Sequence, residues 1–453
     1  MQKENIMGTA KIPNLIMRMS LPMMLSMLVQ ALYNVVDSIF VARYSADALT
    51  AVSLAFPLQN LIIAFAVGTG VGVNSVLARR LGEKRHEDAD KAASTGIFLA
   101  LVTYVVFALA GLALAKPFLA MFTSDATLLD LSTQYAMICM CFSLGCFVDI
   151  MGERILQATG DSFHPMIIQG AGAITNIILD PIFIFTFDMG VAGAAIATVI
   201  GQWVSMFLAI YWVRKNSYVH VRMRRLKPSA RLIRDIYAVG APTIVMNSVS
   251  TVLVSALNGI LIRFSNMAVS VFGVYYKLQS FVFMPVFGLN NGLIPILAFN
   301  YGAMSRKRMT SAMKYGIVIA VAIMLLGTLI FQLCPSLLLS FFNADESMYE
   351  IGIPALRVLS ICFVPAAFSI VMSAAFQATG YGIFSMLVSV IRQLIILCPC
   401  AYLLGALIGL SGVWLSFTVA EVFGLASASV FFLYVYRKKI VPLSQGVQEY
   451  SES

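Results

Sequence analysis

Gln157-Ala-Thr-Gly160 recurs 220 residues later as Gln377-Ala-Thr-Gly380, and neighbouring positions repeat with it. At the same shift Pro22 meets Pro242, Leu58-Gln59 meets Leu278-Gln279, Gly68 meets Gly288 and Gly82 meets Gly302. Late in each half Gly190-Val-Ala-Gly193 meets Gly409-Leu-Ser-Gly412 at a shift of 219, which implies a loop one residue shorter in the second copy. Self-similarity at a fixed period marks a duplicated structural unit.

The unit is built for a membrane. Of 453 residues 60% are hydrophobic and only 11% charged, where a soluble globule carries about 25% charged residues. Apolar stretches such as Ala93–Ala115, Ile167–Phe187, Val191–Val213 and Ile317–Leu333 recur between short polar breaks. Each is close to the roughly 20 helical residues that cross a hydrocarbon core of about 30 Å. The predicted spans are 19–42, 51–78, 93–116, 131–158, 165–187, 191–213, 236–263, 268–299, 314–342, 351–379, 383–407 and 411–436. Strand-length alternation is scarce, which argues against an outer-membrane barrel.

The expected fold is therefore an all-α polytopic membrane protein, with about twelve transmembrane helices in two six-helix lobes. Six is even, so both copies enter the membrane in the same sense and relate by a pseudo-twofold along its normal. An N-lobe at 1–213, a cytoplasmic linker at 214–235, a C-lobe at 236–440 and a tail at 441–453 follow. The segment Leu21–Val41 carries Asp37 and lacks a cleavage site, so it reads as a retained first helix.

The net charge of +9 is placed, not spread. With both termini inside, 23 of the 30 Lys and Arg fall on one side. They cluster at Lys3, Lys11 and Arg18, at 79–91, at 214–234 (including Arg224, Arg225 and Lys227), at 306–314 and at 437–439. This is the positive-inside pattern of a multi-pass protein of the cell inner (plasma) membrane. It is not the single basic face with interleaved aromatics that nucleic acid requires. All seven cysteines lie in apolar segments and read as packing. His86, His164 and His220 sit at loops, so no intramembrane nucleophile–base pair or metal constellation supports a membrane-embedded enzyme. Gly68-Thr-Gly70-Val-Gly72 lies inside a span with no strand before it, and reads as helix packing, not nucleotide binding.

An ionisable group at the bilayer centre costs about 2.5–3.5 kcal/mol on insertion scales, so each needs a partner or a job. Asp37, Asp149, Glu153, Asp180 and Glu421 qualify, four of them in the first half. Asn176 and Asp180 are four apart and share a helix face. Pro181 supplies no backbone donor and loosens the adjoining turn. Asp149, Glu153 and Gln157 form another stripe, and Thr198 offers a hydroxyl at similar depth. Alternatives stand beside each: Glu153 paired with Arg154, Asp149 bonded to a local hydroxyl, and Glu421 alone near Ser416 and Thr418. Low dielectric favours a neutral carboxyl, which suits proton uptake and release. Carboxylate, amide and hydroxyl oxygens equally suit Na⁺. The bases Lys277, Arg357 and Arg392 belong to the second half.

With these residues the chain resembles the multidrug and toxic compound extrusion (MATE) family over nearly its whole length. The resemblance rests on Tyr33-Asn-Val-Val-Asp37-Ser-Ile-Phe-Val-Ala42, Gly152-Glu-Arg-Ile-Leu-Gln-Ala-Thr-Gly160, Asn176-Ile-Ile-Leu-Asp180-Pro-Ile-Phe-Ile-Phe185 and Gly190-Val-Ala-Gly-Ala-Ala-Ile-Ala-Thr198. It implies an antiporter, driven by H⁺ or Na⁺, that exports organic, often cationic, drugs by alternating access. It implies a first-lobe cation site of Asp37, Asn176, Asp180 and Thr198, with Glu153 and Gln157 as drug or proton contacts and Pro22 as a helix-bending position. The second-lobe acids of another branch are not matched, since Asn247, Asn258, Arg357 and Gln377 stand in those helices. The expected partners are small organic substrates and the lipid bilayer, with no nucleic acid, no cofactor beyond the coupling ion, and a monomeric chain. A lipid-linked precursor flippase of the same superfamily is the rival, kept alive by the second-half bases.

Overall fold

The computed structural model describes residues 5–223, 228–342 and 345–444. Lys3, Arg224, Arg225, Lys227 and the tail beyond 444 lie outside the described residues. Among the described residues the regular structure is helical, with no strand.

In the first half the helices are α1 (Ile6–Thr9), α2 (Ile12–Tyr44), α3 (Ala46–Gly82), α4 (His86–Leu119), α5 (Ala126–Cys141), α6 (Leu144–Ala158), α7 (Phe163–Pro181) and α8 (Gly190–Lys215). The second half holds α9 (Ala230–Leu261), α10 (Asn266–Gly302), α11 (Arg306–Leu333), α12 (Pro335–Ser340), α13 (Glu346–Ser360), α14 (Phe363–Ala378), α15 (Gly382–Val390), α16 (Cys398–Ile408) and α17 (Leu410–Val435). A π-helical stretch, Ile182–Thr186, extends α7, and another, Ile391–Leu397, joins α15 to α16. Ten stretches are long and apolar enough to cross a membrane, and two bent pairs bring the number to twelve among the described residues.

Those bent pairs differ from the single spans expected at 131–158 and 351–379. α5 and α6 meet at 46°, α13 and α14 at 44°. At each break a side chain bonds the carbonyl three residues back: Ser143 Oγ to Met140 O at 2.8 Å, and Cys362 Sγ to Leu359 O at 2.9 Å. Such local bonds compete with the helical ladder and bend it. Elsewhere helices outrun their apolar cores. Ser45 and Ser265 cap α3 and α10 by accepting from Ala48 N (2.9 Å) and Ala268 N (3.0 Å), so both helices begin before hydropathy announces them, α3 at Ala46 and α10 at Asn266.

The duplicated Gln-Ala-Thr-Gly stretch closes α6 and α14 in the same way. Gly160 and Gly380 have φ of 93° and 86°, the left-handed region that glycine enters without strain. Gly160 N donates to Gln157 O (3.0 Å) and Asp161 N to Leu156 O (3.1 Å). Gly380 N donates to Gln377 O (3.3 Å) and Tyr381 N to Phe376 O (2.8 Å). Both are Schellman caps, which satisfy orphan helix carbonyls.

By contact the chain divides into Met1–Ile6 with Leu25–Ile244, and Met7–Met24 with Val245–Ser453. One cut falls in α1, and the other two run inside α2 and α9, each two residues after a duplicated proline, Pro22 or Pro242. The first unit thus includes the opening of α9. Gly68 and Gly72 allow that packing: a Cβ on Gly68 would lie 2.4 Å from Ile244 Cγ1, and one on Gly72 only 2.2 Å from Ile236 O. The run Gly68-Thr-Gly70-Val-Gly72 is a helix-packing stripe. Past α8 the chain docks on the start of α4, with His220 N on Asp90 Oδ1 (2.7 Å) and Arg222 N on Ser94 Oγ (3.0 Å).

In the second unit Met7–Met24 lies against α10. A Cβ on Gly288 would meet Met24 Cα at 2.6 Å, and one on Gly292 would meet Ser20 Oγ at 2.5 Å. Arg308 secures the same segment by donating from Nη2 to the carbonyls of Met7 (3.0 Å) and Ala10 (2.8 Å).

Candidate cation site

Three helices of the first unit build the centre, and glycines let two of them approach. A Cβ on Gly201 of α8 would stand 2.8 Å from Gly172 O of α7 and 3.3 Å from Asn176 Cβ. A Cβ on Gly193 would stand 2.7 Å from Phe183 C in the π stretch. Between these two contacts lies Thr198, directly opposite Asn176.

The Asn176 amide is oriented by its neighbours. Its nitrogen donates to Asp180 Oδ2 at 3.0 Å, and its oxygen accepts from the Thr198 hydroxyl at 3.3 Å and from Thr198 N at 3.1 Å. Asn176, Asp180 and Thr198 are all buried, Asp180 completely. From α2 the Asp37 carboxyl comes up beside that of Asp180, and Asp37 Oδ1 is buried without a hydrogen-bond partner. One helical turn earlier on α2, the Tyr33 hydroxyl lies near Thr198. The four residues expected together are therefore together. Tyr33 completes the ring and was absent from the expected set; its spacing of four from Asp37 was the available signal.

Two carboxyls side by side need one positive charge between them, since like charges that close do not both stay ionised. A shared proton meets that need. So does a small cation, for which Tyr33, Asn176 and Thr198 add neutral oxygens.

The second acidic stripe behaves differently. Asp149 Oδ1 and Glu153 Oε1 are buried with no hydrogen-bond partner, so neither the local hydroxyl nor the Arg154 pairing considered from sequence forms. Arg154 turns to Gln157 instead, Nη1 to Oε1 at 3.0 Å, and Gly70 leaves room for its stem. Gln157 is buried and accepts that bond from Arg154. Pro22 sits within an unbroken α2, where its missing N–H leaves Arg18 O without its helical donor. In the second unit Glu421 does not stand alone: it accepts from Arg392 Nη1 on both oxygens, at 3.2 and 3.1 Å. Lys277 and Arg357 are exposed.

A duplicated, membrane-spanning helical protein whose residual charges sit mid-span in built polar centres is a transporter in class. The MatE family model matches the chain twice, at residues 22–182 and 242–403, and the chain belongs to that family. The two matches start 220 residues apart, the period of the Gln-Ala-Thr-Gly repeat. Multidrug export protein MepA of Staphylococcus aureus is 26% identical over 433 residues, covering 94% of each chain. An outward-facing multidrug resistance MATE family transporter of the MOP superfamily superposes with a TM-score of 0.92 at 28% identity, over 98% of this chain and 100% of that one. A MATE structure in the bent conformation superposes at 0.89 with 30% identity, over 96% of this chain and 97% of that one. These relatives are transporters, not enzymes.

Proposed function

We propose that the chain is a cation-coupled antiporter that exports organic, often cationic, drugs, taking H⁺ or Na⁺ at Asp37, Asn176, Asp180 and Thr198. The observation that carries the proposal is the Asp37–Asp180 carboxyl pair with its ring of amide and hydroxyl groups. Bound charge neutralises the pair, and losing it leaves two facing carboxylates that repel. That difference can bias two conformations of α2, whose Pro22 weakens the helix between Asp37 and its N-terminal end. Coupling follows if ion and drug favour different states in an alternating-access cycle. The multidrug export for which the staphylococcal relative is named supports the substrate class. Glu153, with an unpartnered oxygen, is the first contact we assign to a cationic drug or proton. The side-specific clustering of basic residues supports a plasma-membrane chain with both termini cytoplasmic. The working form is a monomer with no cofactor beyond its coupling ion.

The test is drug transport in proteoliposomes under an imposed pH gradient and then an imposed Na⁺ gradient. One gradient should drive uptake, and Asp180→Asn and Asp37→Asn should each lower it to background. Full gradient-driven transport in both variants would sink the proposed site. Flipping of a lipid-linked precursor without drug transport would move the chain to the flippase branch.

A further inference from the structure

We infer that the basic surface of the second unit, where the start of α11 meets the end of α17, binds the headgroups of anionic phospholipids. The inference concerns a partner of the protein and stands whatever substrate is exported.

The duplication exposes a reversal of charge. At the shift of 220 residues His86-Glu87-Asp88, which opens α4, meets Arg306-Lys307-Arg308, which opens α11. Acids suit the first turn of a helix and bases do not, because the helix dipole is positive at that end. The first copy also balances its bases. Arg80 pairs with Glu83 at 2.8 Å and Lys91 with Asp88 at 3.3 Å, while Arg85 reaches both acids. The second copy lacks that balance. Residues 300–314 and 436–444 contain no Asp or Glu. Among the described residues no carboxylate pairs with Lys307, Arg437, Lys438 or Lys439.

The partners here are aromatic instead. Arg306 Nη2 donates to the Tyr436 hydroxyl at 3.1 Å, which ties the start of α11 to the end of α17. Lys438 Nζ donates to the Tyr434 hydroxyl at 3.0 Å and sits 4.9 Å from that ring's centroid. Lys439 Nζ lies 5.7 Å from the Tyr381 centroid. A ring attracts a cation but carries no net charge, so the surface stays positive. The rings are braced from below: Tyr381 stacks on Phe384 at 5.5 Å, and Phe384 on Phe431 at 4.9 Å. Lys307, Arg437 and Lys438 are exposed above them.

The same rings fix the depth. Tyrosines gather where a span leaves the hydrocarbon, and lysine stems lie along apolar surface with the ammonium turned to the headgroups. Tyr434, Tyr436 and the three bases that follow close the span Leu410–Leu443 in that order. The charges therefore stand at headgroup level. Clusters of about four to eight bases directly beyond a membrane helix attract anionic lipid. Arg306, Lys307, Arg437, Lys438 and Lys439 form such a cluster.

Native mass spectrometry of the purified full-length protein, titrated with phosphatidylglycerol and separately with phosphatidylcholine, reads the binding. Wild-type protein should prefer phosphatidylglycerol. Changing Lys307, Lys438 and Lys439 together to Gln should weaken it by about fivefold for each charge removed and leave phosphatidylcholine unchanged. The same three positions changed to Arg should bind like wild type, which separates charge from folding. Arg80, Arg85 and Lys91 changed together to Gln should keep phosphatidylglycerol within about twofold, because acids already balance those bases. Equal binding of the two lipids by wild type, or equal loss in both Gln variants, overturns the surface. Displacement of the lipid by excess inorganic phosphate would make free phosphate the ligand and overturn it too. Deleting residues 445–453, which carry Glu449 and Glu452, should leave the titration unchanged; a strong gain would make that segment the occupant instead.

Discussion

Gly201→Ala should disconnect the cation site without touching any of its polar atoms. The added Cβ would lie 2.8 Å from Gly172 O, a backbone atom that cannot rotate away. Ordinary contact starts at 3.4 Å, so α7 and α8 must part by about 0.6 Å at this level. Asn176 stands one turn beyond Gly172, and its 3.3 Å contact with the Thr198 hydroxyl would stretch to about 3.9 Å, past hydrogen-bonding range. Overpacking of this kind costs about 1–3 kcal/mol. The released amide also loses its fixed orientation toward Asp180. Thermal unfolding in detergent and gradient-driven transport in proteoliposomes measure the two effects. The expected result is a modest fall in Tm with a large loss of coupled transport. Gly170→Ala on the same α7 is the control, because a methyl group there would meet nothing within 4 Å and transport should persist. Wild-type coupling in Gly201→Ala would refute the claim that the α7–α8 approach sets the site.

Replacing Gly160 or Gly380 by Ala forces a β-carbon into φ of 93° or 86°, and should cost about 1–2 kcal/mol at either copy, seen as similar falls in Tm. Glu153→Gln removes an ionisable carboxyl whose Oε1 makes no hydrogen bond, so stability should hold while affinity for rhodamine 123 drops several-fold in an anisotropy titration. Residues 1–223 expressed alone should be protease-sensitive, because the Gly68–Gly72 stripe lacks Ile236–Ile244; co-expression with 228–453 should restore a protected, co-purifying pair.

Much of this architecture is legible in the sequence alone. Spans and duplication follow from hydropathy and from residues such as Gly160 and Gly380, whose backbone role leaves a direct mark on sequence. Asn176 and Asp180 could be grouped because both sit on one helix at a spacing of four. The Arg392–Glu421 pair was not legible: its members are 29 residues apart on different helices, and a π stretch shifts the face that Arg392 presents. Tyr33 escaped for a related reason, since an aromatic in an apolar span looks like any lipid-facing ring until its hydroxyl is placed. The breaks at Ser143 and Cys362 depend on side-chain rotamers bonding backbone carbonyls, which apolar periodicity does not encode.

The cuts within α2 and α9 also bear on how such a chain is made and where it came from. During synthesis the first unit cannot finish when its own repeat has been translated; it waits for residues up to Ile244, while Met7–Met24 waits for partners made later still. Insertion order and folding order therefore differ, and a stretch of finished membrane helices stands incomplete while the second repeat emerges. A six-helix ancestor with this arrangement would have been whole only as two copies, each lending the other the opening of its first helix. Gene fusion would then have made permanent an exchange that two separate chains already performed.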